Sequence, residues 1–374
     1  LLTLSAAVLM PAALLAQAPA APAYTAIYAT ESKSVPKDLA AFKEQEVLSR
    51  LAKVLSTPEN PTEAVRAGID ELRPRRVDLL AHGTTVATNA LLEGELAPTA
   101  LVTTAGFADV IEIARQDRPK LYDQWADRPP PLVERAHRLE VEGRLDASGH
   151  ELTPLGEVPE IPSSATAVAV CLLHADLDGA HEVEVAEVLR AQGHEVSVSH
   201  EISPEFREYE RTVTTVINAG LGPRCRTYLE ALEPLATRVL VMTSAGGLAP
   251  VATVARTPAS LLLSGPAGGV RAAAAYAVAA GFPDAVTFDM GGTSTDVALV
   301  LGGEPQPAAQ REVAGYPVRL PSVDVHTIGA GGGSIAVVDA GGALLVGPRS
   351  AGAAPGPACY GRGGEEATVT DADL

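Results

Sequence analysis

An aspartate, two adjacent glycines and a run of hydroxyls form the densest set of donor and acidic groups in the chain: Asp289-Met290-Gly291-Gly292-Thr293-Ser294-Thr295-Asp296. The segment lies between two apolar runs, 285–289 and 297–301, that read as strands joined by a tight turn. Adjacent glycines let backbone N–H groups turn toward an anion, and Thr and Ser hydroxyls add donors suited to a polyphosphate. A carboxylate at the end of the first strand can hold Mg2+ or its bound water beside those phosphates. On this reading Asp289 is the metal ligand, and Gly291, Gly292, Thr293, Ser294 and Thr295 bind phosphate oxygens. Asp296 is a second carboxylate for metal and phosphate. The lysine of a GxxxxGK[ST] loop is missing and the spacing is not that of a dinucleotide fingerprint, so both of those phosphate sites are excluded.

Two more glycine clusters fit the same chemistry. Ser264-Gly265-Pro266-Ala267-Gly268-Gly269 precedes a helical pattern, and Gly329-Ala330-Gly331-Gly332-Gly333-Ser334 precedes a strand. Gly265, Gly268, Gly331 and Gly332 are therefore candidates for cradling phosphate, although close packing of backbone segments is the commoner use of glycine. Asp324-Val325-His326 alternates polar and apolar on what reads as a strand, with both polar side chains on one face. Such a pair can position water or substrate, or bind a metal; the alternative is a structural histidine at a strand end. His82-Gly83-Thr84-Thr85-Val86-Ala87-Thr88-Asn89 presents donors where a strand gives way to a helix, and capping by threonine explains it equally. Arg207, Glu208, Glu210 and Arg211 alternate in charge along a helical stretch, the pattern of a solvated, salt-bridged face.

The elements that must position these groups alternate strand with helix. The expected strands are 54–55, 77–81, 98–103, 165–173, 195–199 and 238–242, and the expected helices 62–72, 87–93, 180–192, 205–232 and 270–279. Asn60, Pro61 and Glu63 mark the first helix start. Segments 138–141 and 151–153 read as a hairpin-like pair, and 165–173 as a central parallel strand because it is almost continuously apolar. The fold class is α/β, with helices on both sheet faces. Composition shifts place boundaries that divide the chain into 1–51, 52–281 and 282–374.

With 46 acidic against 28 basic residues the net charge is -18, which disfavours nucleic acid and anionic membrane surfaces as partners. Cys171, Cys225 and Cys359 are far apart and form no CxxC pair, so reduced, structural thiols are expected. Beyond the N-terminal stretch no apolar run approaches the length of a membrane span. Residues 1–23 carry no charge and end near the small-x-small pattern Ala16-Gln17-Ala18, yet they start at Leu1 and lack a basic leader. They are read as an artefact rather than an export signal, followed by a polar linker, which leaves a cytoplasmic protein as the expectation.

Taken together and in order, the motifs at 82–89, 207–212, 264–269, 289–296 and 324–334, with Pro355-Gly356-Pro357-Ala358-Cys359-Tyr360-Gly361, resemble the hydantoinase A/5-oxoprolinase family. The resemblance runs from about Lys53 to Leu374. It implies an actin-like ATPase (ribonuclease H-like) fold, ATP with Mg2+, and ring-opening hydrolysis of a cyclic amide substrate such as hydantoin or 5-oxoproline. It also implies a hydantoinase B-type partner subunit or domain. Two departures are expected to matter: no Asp-Gly-Gly-Thr loop precedes Val54, leaving the first domain without its phosphate hairpin, and the second domain is truncated after Leu374. The alternatives are an acetone-carboxylase-like or small-molecule kinase reaction on the same fold, or an inactive nucleotide-binding remnant.

Overall fold

The computed structural model describes residues 24–29, 50–55, 57 and 60–373, apart from 73, 75, 120, 124 and 353. The export-like stretch 1–23 lies outside the described residues. The stretch expected to be a polar linker opens with a strand: β1 (Tyr24–Ala29) pairs antiparallel with β2 (Arg50–Leu55). Its sequence YTAIYA is β-prone, a signal that the charged residues after it obscure.

Helix α1 (Pro61–Leu72) starts with proline at its first position and buries Ala64, Val65, Gly68 and Leu72 along one stripe. Strand β3 (Leu79–His82) leads through a turn into α2 (Val86–Leu92). Next come β4 (Thr99–Thr104), β5 (Arg138–Val141), β6 (Ala167–Cys171), α3 (Ala180–Ala191) and β7 (Val196–Val198). These four strands form a parallel sheet in the order β5-β4-β6-β7. Parallel sheets need both faces covered, which is why β4 and β6 are buried at every position. The expected hairpin between 138–141 and 151–153 does not form. Arg138–Val141 joins the parallel sheet beside β4, and Glu151–Thr153 pairs instead with Arg144–Leu145. The strand at 138–141 forms as expected, and its charged side chains hid only its place in a buried sheet.

Helix α4 (Glu208–Leu232) runs for 25 residues across one face of that sheet. It supplies Val213, Val216, Ile217, Leu221 and Leu229 to a core shared with Leu101, Ala169 and Cys171. On the opposite face Val185, Ala186 and Leu189 of α3 meet Ala100, Val102, Val168 and Val170. Strand β8 (Arg238–Met242) runs parallel to β3 and antiparallel to β9 (Leu248–Pro250).

A second unit follows α5 (Ser264–Ala279). Strands β10 (Ala285–Met290), β11 (Thr295–Leu301) and β12 (Val325–Ile328) form an antiparallel sheet in that order. Ala267, Val270 and Ala274 of α5 cover one face of it, against Ala298, Val300 and Val325. The other face carries Val286, Phe288, Met290, Leu299 and Ile328, all exposed. Strands β13 (Ser334–Val338) and β14 (Leu344–Ser350) form a hairpin, and α6 (Val369–Ala372) ends the described chain. The small hairpin of Arg311–Val313 and Tyr316–Val318 reaches back into the first core, burying Val313 and Val318 there, and the Tyr316 hydroxyl donates to the Pro130 carbonyl. The result is a mixed α/β architecture. Among the described residues no helix is long and apolar enough to cross a membrane.

Candidate functional site

The loop between β10 and β11 is where the candidate phosphate donors collect. The Gly291 N–H donates to the Ser294 carbonyl at 2.8 Å, which closes the turn. Among the described residues the N–H groups of Gly292, Thr293 and Ser294 meet no acceptor, and Gly292 and Thr293 are exposed. Free N–H donors on a tight turn are the feature from which anion-binding concavities are built.

The glycine run 329–334 lies directly against this turn. Gly332 N–H donates to the Gly291 carbonyl at 2.9 Å and Gly333 N–H to the Gly292 carbonyl at 2.7 Å. A Cβ on Gly331 would come within 2.6 Å of the Gly291 carbonyl oxygen and 2.7 Å of the Thr293 and Ser294 nitrogens. Glycine is thus required at 331 by the approach of two backbones, and the run holds the hairpin turn in place. Thr295, expected among the phosphate donors, is buried, and its hydroxyl donates to the Ala330 carbonyl at 2.6 Å. It fastens the two loops together.

Asp289 and Asp296 are cross-strand partners, so their side chains share a face of the sheet. Burial pushes the Asp289 carboxyl above its usual range, and the neighbouring Asp296 carboxylate adds to the rise. Two like charges opposite each other are unfavourable without a cation between or beside them. Asp296 is oriented by Thr327, its partner on β12, whose hydroxyl donates to Oδ1 at 2.7 Å. Among the described residues no group of three or more His, Cys, Asp or Glu side chains forms a metal cage.

His326 does not join these carboxylates. It pairs with Val297, and Val297 with Phe288, so its imidazole stands on the exposed apolar face while Asp289 and Asp296 occupy the other. The alternation expected for Asp324, Val325 and His326 holds, with Val325 buried and the two polar residues exposed. What it does not deliver is contact with Asp296.

The remaining motifs occupy structural junctions. Ser264, Gly265 and Gly268 lie inside α5, which starts six residues earlier than expected, so the cluster is helix and not a loop before one. A Cβ on Gly268 would lie 3.5 Å from the Met242 side chain. The Ser264 hydroxyl donates to the Thr84 carbonyl at 3.1 Å, and Leu263 N–H, at a left-handed residue, donates to the Thr88 hydroxyl at 3.0 Å. The motif at 82–89 thereby anchors the start of α5. His82 lies 2.5 Å from the Tyr228 hydroxyl, and burial lowers its pKa to about 4.

The expectation of a solvated charged face holds at Arg207, which is exposed, and fails at Glu210 and Arg211. Arg211 is fully buried, pairing with Asp176 and donating to the Leu172 and Glu205 carbonyls at 2.8 and 2.9 Å. Glu210 is buried as well and pairs with Arg115 through both oxygens. Alternating charge on a helix cannot distinguish solvent from distant, oppositely charged partners.

Residues 37–193 match the profile of the hydantoinase/oxoprolinase N-terminal region and residues 211–374 that of hydantoinase/oxoprolinase itself. The chain therefore belongs to the hydantoinase/oxoprolinase family. Among solved structures it resembles an ATP-dependent caprolactamase from Pseudomonas jessenii, with 36% identity and a TM-score of 0.77 over 87% of this chain and 51% of that one. It also resembles a nucleotide-free acetone carboxylase, with 25% identity and a TM-score of 0.66 over 86% of this chain and 50% of that one. 5-oxoprolinase 1 of Arabidopsis thaliana is 34% identical over 361 residues, covering 84% of this chain and 28% of the relative. The chain spans about half the length of the first curated relatives it matches.

Proposed function

We propose that the chain carries an ATP site of an enzyme that opens a cyclic amide by ATP-dependent hydrolysis, on an actin-like ATPase fold. The observation that carries this reading is the turn with three unpartnered N–H donors, at Gly292, Thr293 and Ser294, beside the paired carboxylates Asp289 and Asp296. The donors would hold phosphate oxygens. Asp289 and Asp296 would hold Mg2+, which neutralises phosphate charge when bound.

Amide resonance makes direct attack by water slow. Transfer of the terminal phosphoryl group to the amide oxygen breaks a phosphoanhydride bond and forms a P–O bond, leaving an imidate phosphate. One water adds to its carbon, and the C–N bond then breaks with protonation of the nitrogen. A second water attacks the carbonyl carbon of the resulting acyl phosphate and breaks its C–O bond, leaving a carboxylate and releasing phosphate that keeps the former amide oxygen. The protein's part is positioning and electrostatic stabilisation of the transferring group. The partner expected to complete the site is a hydantoinase B-type subunit, since relatives include proteins named as caprolactamase and carboxylase subunits.

The test is ATP hydrolysis measured against a panel of hydantoin, 5-oxoproline and larger lactams carrying 18O in the amide carbonyl. The reading requires a ring-opened carboxylate, an amino acid from a lactam or an N-carbamoyl amino acid from hydantoin, and transfer of the label into phosphate. A product that retains the ring and gains a phosphoryl group would establish a kinase instead. Likeness to an acetone carboxylase favours one second reading, ketone activation by the same phosphoryl transfer. Bicarbonate-dependent ATP consumption with a carboxylated product would establish it.

A further inference from the structure

The motif 355–361 and the final helix have no place in the phosphate site as described so far, yet their hydrogen bonds lead to it. Thr370 donates twice to the Gly332 carbonyl, from its N–H and from its hydroxyl, each at 2.8 Å. Gly332 in turn donates its N–H to the Gly291 carbonyl in the hairpin turn. One residue, Gly332, thus joins Thr370 to the turn that carries the free N–H donors. The fit is close on the glycine side, since a Cβ on Gly332 would lie 2.7 Å from the Thr370 hydroxyl oxygen.

Thr370 is itself held. It sits in the first turn of α6, which begins with a capping box between Thr368 and Asp371. The Asp371 carboxylate accepts from Cys359 N–H at 2.8 Å, Ala358 N–H at 3.3 Å, and the Thr368 N–H and hydroxyl at 2.8 Å each. These bonds, with that from Cys359 N–H foremost, hold the carboxyl well below the usual carboxylate range. Asp371 therefore ties the segment at 355–361 to the helix that presents Thr370. Ala351 N–H adds a bond to the Gly333 carbonyl at 2.8 Å.

We infer that Thr370 is a positioning residue of the hairpin turn at 291–294, acting through Gly332, with Asp371 and the 355–361 segment as its support. In its functional sense this rests on the nucleotide reading above. An oxygen site made of backbone donors is useful only when the turn is held before the ligand arrives, because ordering it afterwards costs binding free energy.

The experiment compares the full chain with Thr370→Val and Thr370→Ser. It uses calorimetric titration with ATP and Mg2+, and hydrogen exchange of segments 289–296 and 329–334 without nucleotide. Valine keeps the shape and the backbone N–H but removes the hydroxyl bond, so ATP affinity should fall about fivefold and exchange in both segments should quicken by a similar factor. Serine should restore both. Wild-type affinity and exchange in the valine variant would overturn the inference.

Should the valine variant not fold, Gly332→Ala displaces the same hydroxyl without altering residue 370. It must reproduce both changes, or the inference fails. A wild-type chain that binds no ATP while Thr370→Val still accelerates exchange would sink the nucleotide reading and sustain the positioning role. A wild-type chain that binds ATP as tightly as its valine variant would do the reverse.

Discussion

His326 and Asp296 sit on adjacent strands of one sheet and on opposite faces of it: His326 faces out with Val297, and Asp296 shares the other side with Asp289 and Thr327. Two candidate site residues from separate motifs are thereby divided by the thickness of a sheet. If Asp289 and Asp296 hold the metal, Asp289→Ala weakens Mg2+-dependent ATP binding on the order of 100-fold, the scale of losing support at a metal site. His326→Ala leaves that binding within about twofold, because it removes nothing on the carboxylate face. Equal losses in the two variants, measured by titration calorimetry, would contradict the two-faced arrangement.

Glycine at 331 and at 292 answers to different demands. Gly331→Ala drives a methyl into the Gly291 carbonyl and the Thr293 and Ser294 nitrogens, whereas a methyl on Gly292 meets nothing within 4 Å. The first substitution should destabilise the chain by about 1–3 kcal/mol, the range for forced overpacking, and open the turn. The second should leave stability nearly unchanged. Urea midpoints at constant slope are the check.

Arg211 is the largest fully buried side chain among the described residues, and its charge is balanced by Asp176. Arg211→Ala strands that carboxylate and opens a cavity, so it should cost about 3–5 kcal/mol. A loss below about 1 kcal/mol in chemical denaturation would mean that water or a second cation takes over the pairing.

His82 makes stability depend on pH in a definite direction. Its folded pKa is lowered to about 4 by burial, so the unfolded chain binds the proton more readily between that value and 6.5. The contribution to stability is complete above about pH 6.5 and is lost as pH falls through about 4. With the ring only partly sealed, the loss is on the order of 1–2 kcal/mol. Replacing His82 with phenylalanine should flatten that part of the stability profile, and an unchanged slope between pH 6.5 and 4 would rule the ring out as its source.

Much of the architecture was legible where one physical signal dominated. The apolar run at 165–173 contains β6, the 238–242 strand matches β8 residue for residue, and the Asp289–Asp296 motif is two strands and a turn as read. Misreadings arose where the sequence carries a local pattern and the structure answers to a distant one. Arg211 looks solvated because Asp176 and Leu172 lie more than thirty residues away. Arg138 on β5 looked like hairpin edge, but it is buried against the Val133 carbonyl and Glu112. Thr327, Thr370 and Asp371 escaped notice as site residues because a threonine hydroxyl or a capping aspartate has no signature until its acceptor or donor is placed. Only a pairing register can show that His326 and Asp296 part company.

The pairing of β3 with β8 also sets a schedule for the growing chain. Leu79 has Arg238 as its register partner, so β3 must wait for about 160 further residues before its sheet can form. At ribosomal speeds of roughly 5–20 residues per second, that delay is on the order of ten seconds or more. For most of it, the apolar side chains of α2 and β3 destined for the α4 core lack the helix that will cover them. A newborn chain of this protein therefore exposes apolar surface that the finished fold hides, and slowing translation beyond residue 82 should lower soluble yield without altering the finished fold.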